Sequence, residues 1–172
     1  MTILIISGCS TDEVSRKEGS KEEAAQSSEP IEPSTDTVCA FCQMEVYHKD
    51  HKMGVFTAQG VTKDGEFLFF DDSGCILNYE RKTGEELSQK WVRDYITTEW
   101  IESDSATPVH SAITSPMKYG YSFYKSEEDA EKFIKEEPAL TPAITSWKTI
   151  DEVANQRYQK KMQMQKEQNS DQ

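Results

Sequence analysis

Two thiols and one thioether fall within six residues in Cys39-Ala40-Phe41-Cys42-Gln43-Met44. Thiolate and thioether sulfurs are soft donors that suit Cu(I) and are poor ligands for Mg2+ or Ca2+. Structural zinc is ordinarily held by four Cys or His ligands, which leaves Met44 unexplained. If Cys42 and Met44 open the first strand, the two-residue strand period points both side chains to one face. The chemistry indicated is monovalent copper. A third donor could come from His110 in a strand of the second half, from Met117 in the turn that follows, or from the His48/His51 pair. His110 is favoured, with Met117 as the alternative, because a site at the junction of two halves draws ligands from both.

Other readings compete for the same thiols. Cys39 and Cys42 have the C-x-x-C spacing of thiol oxidoreductases, but the motif leads into a strand rather than opening a helix, and no thioredoxin-like order follows. Cys39, Cys42, Cys75 and a histidine would make a zinc donor set. A disulfide from Cys39 or Cys42 to Cys75 is the plainest alternative in an oxidising compartment. Cys75 itself is expected as a small buried residue packing helix on sheet, or as a thiolate near the metal. Of Asp71 and Asp72, one is expected to cap the helix and the other to support docking or the metal. No Ser/His/Asp constellation, phosphate-cradling glycine loop or cofactor fingerprint is present. A carrier needs none of these, so no enzymatic activity is expected.

The elements that must position these residues repeat. GEFLFFDDSGCILNYERKTG reads as a strand, a helix with Ile76 and Tyr79 on one face, and a Gly84 stop. YGYSFYKSEEDAEKFIKEEP reads as an aromatic strand, then a helix with a capping box from Ser126 to Asp129 and Pro138 beyond its end. Each unit is preceded by a strand candidate, EVYHKDHKMGVFTAQG or ATPVHSAIT, and followed by another, KWVRDYITTEW or AITSW. The fold expected is α+β, with two small pseudo-repeated ββαβ units over residues 38–100 and 101–160. A C-terminal helix starts at Thr149, and a polar tail occupies 161–172. Units this small must share a core. Trp91, Trp100 and Trp147 are expected in that core or at an interface.

The chain has 172 residues, with 19 Lys and Arg against 31 Asp and Glu, a net charge of -12. That field repels phosphate backbones and anionic headgroups, which argues against nucleic acid and against electrostatic membrane docking. Residues 10–37 are rich in Ser and Glu, without aromatics, and read as a disordered acidic tether. Residues 1–9 end in Ile6-Ser7-Gly8-Cys9, the pattern of a bacterial lipoprotein processing site with Cys9 as the lipidated residue. No Lys or Arg precedes this apolar run, so it reads as a truncated signal whose true start lies upstream. A tether of this length reaches roughly 30 Å, which would hold the folded part outside the cytoplasm and close to a membrane.

CAFCQMEV, FLFFDDSGCILNY, VRDYITTEWIESDSATPVHS, SPMKYGYSFY and DAEKF, in this order, resemble the NosL family of nitrous oxide reductase accessory lipoproteins. The resemblance implies a membrane-anchored Cu(I) chaperone built of two ββαβ modules. Its partners would be the apo reductase and, as a further expectation, the membrane transporter of the assembly system. It also implies Cys42 and Met44 as copper ligands, with His110 aligned to the third. Two departures stand out: Gln43 occupies a position where many members have Gly, and Cys39 is a thiol that not every member carries.

Overall fold

The computed structural model describes residues 29–170. Cys9 and the rest of the leader through residue 28 lie outside the described residues. The first unit contains β1 (Ala58–Val61), β2 (Phe67–Phe70), α1 (Ser73–Thr83) and β3 (Gln89–Arg93), followed by a short β4 (Trp100–Glu102). The second contains β5 (Thr107–His110), β6 (Tyr121–Tyr124), α2 (Glu127–Glu136) and β7 (Ala143–Ile144). The strand orders are β2-β1-β3-β4 and β6-β5-β7. Each ββαβ unit therefore puts its first strand in the middle of an antiparallel sheet, and the expected repeat is present in both halves.

The helix ends follow from local chemistry. α1 stops where Gly84 turns left-handed, φ 73°, and donates its N–H to Glu80 O at 2.8 Å. Ser126 accepts the Asp129 N–H at 3.1 Å while its hydroxyl donates to the Asp129 carboxylate at 2.6 Å, which closes the expected box. The last helix, α3, runs over Trp147–Ser170. It starts two residues before Thr149, because Ser146 accepts the Thr149 N–H at 3.2 Å as the cap. It also continues through most of the segment expected as a polar tail. Although α3 is long, among the described residues no helix is apolar enough to cross a membrane.

The largest departure from expectation concerns the entry to the first unit. Glu45 pairs with Val38 in an isolated bridge, and turns with one 3-10 segment then lead to β1, so Cys42 and Met44 do not open a strand. The end of the expected tether is also tied down. Gln59 holds the Ile31 backbone through two hydrogen bonds, 2.7 and 3.0 Å, and Glu32 pairs with Arg93 at 2.6 Å.

Arg93 is fully buried. It lies 3.7 Å over the Trp100 ring and donates to Thr98 O at 2.8 Å. Burial pushes Glu32 up, but the Arg93 hydrogen bond and charge outweigh it and hold the carboxyl below its ordinary value. This contribution to stability is present above the ordinary carboxyl pKa and is lost as pH falls through the lower folded value. Glu32→Ala would leave a buried guanidinium without its anion, so unfolding in urea at pH 7 is expected to show a loss of about 3 kcal/mol.

A shared core joins the two halves, and a smaller cluster of Val109, Tyr124 and Ala130 lies within the second. Phe70, Cys75 and Ile76 of the first unit join Tyr121 and Phe123 of the second, with Ile150 of α3. α3 is pinned to α1 by an Arg81–Asp151 ion pair. Trp147 stacks on Phe123, with centroids 5.0 Å apart, and donates to Ser103 O at 2.7 Å. Gly74 in the first turn of α1 lies under the Tyr119 ring, where a Cβ would meet the ring at 2.3 Å. The start of α1 is thus a place where the two units touch.

Candidate metal centre

The Cys loop folds back on itself between Cys39 and Met44. Cys39 N–H donates to Met44 O at 2.8 Å, and Gln43 N–H donates to Cys39 O at 3.0 Å. Gln43 takes φ 63°, a left-handed conformation that glycine enters without strain. This turn breaks the strand alternation expected of Cys42 and Met44. Cys42 is half-buried and directed at the start of α1, while Met44 is 50% exposed.

Four donor atoms converge there. The sulfurs of Cys39, Cys42 and Cys75 and a carboxylate oxygen of Asp71 all lie within 4.8 Å of one another. Cys39, Cys75 and Asp71 are buried, and the three cysteines are free thiols, so the disulfide alternative is absent from this structure. The Cys42 N–H points at Cys39 Sγ from 3.5 Å, and the Cys42 thiol donates to Asp71 Oδ1 at 3.4 Å. Hydrogen bonds from the Cys39 and Cys75 thiols and from the Met44 backbone, outweighing burial and the Asp71 charge, pull Cys42 down to about 4. Burial, with the Cys39 sulfur, pushes Asp71 up to about 7 against the hydrogen bonds with Cys75 and Cys42. Cys75 is pushed well above the ordinary thiol range by its hydrogen bonds to the other two sulfurs and by burial. The cluster therefore gathers three sulfurs against one buried carboxylate, and its neighbours favour ionisation of Cys42.

Asp72 does a different job. It occupies the N-cap position of α1, but its side chain makes no cap hydrogen bond. It accepts instead from the Ser115 hydroxyl at 2.6 Å and from the Met117 N–H at 3.2 Å. Ser115 Oγ in turn accepts the N–H groups of Tyr119 and Gly120 at 3.0 and 3.2 Å. The Ser115–Gly120 turn is thereby fastened to α1 one residue from Asp71. Burial pushes Asp72 up to about 6, against the bonds it accepts. A raised carboxyl pKa stabilises the folded state at low pH and loses that advantage as pH rises from about 4 to about 6. Relative to Asp72→Asn, the wild-type protein is expected to lose about 3 kcal/mol over that window, read from urea unfolding at a series of pH values.

The other residues named from sequence are dispersed. Met117 packs against the same core cluster as Cys42. His110 is on β5, exposed, with its ring 5.1 Å from that of Tyr121, and it is not among the four converging donors. His48 pairs with Asp50 and Glu32, and His51 stacks on Tyr47. Asp71 is the donor that sequence reasoning did not identify as a ligand. Its signal was its position four residues before Cys75 across a helix start, which brings it to the same end of α1.

Comparison with the curated proteins finds no match. Among solved structures, the chain is similar to the crystal structure of the copper chaperone NosL from Shewanella denitrificans, at 14% identity and a TM-score of 0.52. That match covers 69% of this chain and 96% of the other, and it shows the fold. The NosL family model matches residues 30–139, which take in the Cys loop, the first sheet, β5 and β6 of the second and the turn fastened by Asp72, and on that match the chain belongs to the NosL family.

Proposed function

We propose that this chain is an extracytoplasmic Cu(I) metallochaperone, anchored through a lipid on Cys9, that delivers copper to apo nitrous oxide reductase, with the membrane transporter of the assembly system as a further partner. The observation that carries this reading is the convergence of the Cys39, Cys42 and Cys75 sulfurs, with Cys42 half-buried and two residues from the exposed thioether of Met44. A soft anion beside a soft neutral donor suits Cu(I), and partial exposure leaves room for an incoming ligand from a recipient. Family membership and the likeness to a copper chaperone support it. Met117, fastened beside the cluster, and His110 on β5 are the donors the second unit can offer. Copper is here a cargo, and no chemical step is assigned to the protein.

The test is anaerobic titration of the reduced protein with Cu(I), with Zn2+ and Cu(II) in parallel. Cu(I) is expected to bind most tightly. Met44→Leu is expected to weaken Cu(I) by about tenfold, 1.4 kcal/mol, and to leave Zn2+ unaltered. Equal loss of both metals would favour the zinc reading instead.

A further inference from the structure

Cys42 has two sides. Its inner side meets Cys39, Cys75 and Asp71, and its half-buried outer side opens to solvent two residues from the exposed Met44. The inner side has the dimensions of a metal site. Three sulfurs about 2.3 Å from one ion stand roughly 4 Å apart, and the four donors here fall within 4.8 Å of one another. Asp71 is 1% exposed, and its Oδ2 has no hydrogen-bond partner among the described residues. An orphaned buried carboxylate oxygen beside three thiols is expensive unless a cation or proton meets it.

We propose that this protein holds Cu(I) in an inner position, ligated by the sulfurs of Cys39, Cys42 and Cys75 and faced by Asp71, with Cys42 and Met44 forming the outer position at which the ion is exchanged. The proposal rests on the copper-carrier reading and adds the residues that retain the cargo. Three thiol sulfurs favour the soft monovalent ion, and a set of three cysteines with one carboxylate is not among the usual closed zinc sets. Cys39 and Cys75 are both wholly buried, so an ion between them is screened from water and from competing small thiols. Cys42 is the one ligand shared by both positions, and passing the ion outward requires exchanging Cys39 and Cys75 for Met44 and a donor of the recipient, with no change of oxidation state.

The experiment combines X-ray absorption of the Cu(I)-loaded protein with chelator competition, on wild type, Met44→Leu, Cys39→Ala and Cys75→Ala, all reduced and anaerobic. The inner position predicts about three sulfur neighbours in wild type and in Met44→Leu, and one fewer in each cysteine variant. It also predicts that Cys75→Ala weakens Cu(I) by at least the roughly 100-fold that loss of an outer-shell partner alone can cause. Loss of a sulfur in Met44→Leu, with Cys39→Ala and Cys75→Ala binding as wild type, would overturn the inner position while leaving the carrier reading intact. No Cu(I) uptake by wild type would overturn both. Zn2+ held by wild type and not displaced by Cu(I) would overturn the inner position as a copper site. Cysteine packs as a small apolar residue, and circular dichroism of the apo variants checks their folding. Should Cys75→Ala not fold, the sulfur count in wild type and Met44→Leu decides.

Discussion

Cys42→Ser is expected to lower Cu(I) affinity by at least about a thousandfold, roughly 4 kcal/mol at 1.4 kcal/mol per tenfold, a larger loss than any other single substitution at the site. Cys42 belongs to both the outer and the inner ligand sets, so no alternative arrangement can spare it. Serine keeps the size and a hydrogen-bonding atom, but its hydroxyl stays protonated and is a hard donor that Cu(I) does not favour. The hydrogen bonds that pull the Cys42 thiol down to about 4 would then surround a neutral oxygen. Competition with a Cu(I)-selective chromophoric chelator measures the change. A loss for Cys42→Ser no larger than that for Cys39→Ser would point to the redox reading, in which the C-x-x-C thiols act as an equal pair.

The fold was legible in the sequence where periodicity and end signals agreed. The aromatic strands Phe67–Phe70 and Tyr121–Tyr124, each followed by a helix with its own start and stop, fixed the repeat, because alternation and capping are local effects that tertiary packing reinforced. The Cys loop was not legible in the same way. Val38 and Glu45 do pair, but the residues between them form a turn through the positive φ of Gln43. Glutamine carries no turn signal, so the i, i+2 argument for Cys42 and Met44 rested on a strand that the backbone never forms. The separation of the two sulfurs, one inward and one outward, follows from that single residue.

The metal donors divide similarly. Cys39, Cys42 and Cys75 could be grouped as a donor set from composition and spacing, and the fold does bring them together. Asp71 could not be told from Asp72, since both look like helix caps. The distinction is tertiary: Asp72 meets the Ser115 turn of the second unit, which leaves Asp71 to the sulfurs. His110 was favoured because it sits in the second half, yet the connection between halves at this end runs through Met117 and Tyr119. Which strand end approaches the start of α1 depends on how two sheets dock, and no local pattern encodes that.

Loading with Cu(I) is expected to stabilise the folded protein, and the size of the effect reports where the ligands come from. A ligand that binds the native state alone adds RT ln(1 + [L]/Kd), about 4 kcal/mol at a thousandfold excess over Kd, which is large beside a total stability of roughly 5 to 15 kcal/mol. Cys39, Cys42 and Met44 lie within six residues, however, and an unfolded chain can offer all three to the ion. Binding to the unfolded state subtracts from the stabilisation, so a site made of that segment alone would raise the melting temperature little. A long-range ligand is needed for the full effect, and Cys75, at the other side of two strands and a turn, exists beside the Cys loop only when the protein is folded. The expected result is a rise of about 10 °C or more on copper loading, taking 2–4 °C per kcal/mol for a chain of this size. Cys75→Ala is expected to shrink most of that rise with its C-x-x-C-x-M segment intact, and His110→Ala to leave it in place. The reverse pattern, with His110→Ala removing the rise and Cys75→Ala keeping it, would make His110 the donor that ties the two units together through the metal. Reduced, anaerobic thermal melts of the three proteins with and without Cu(I) separate the two.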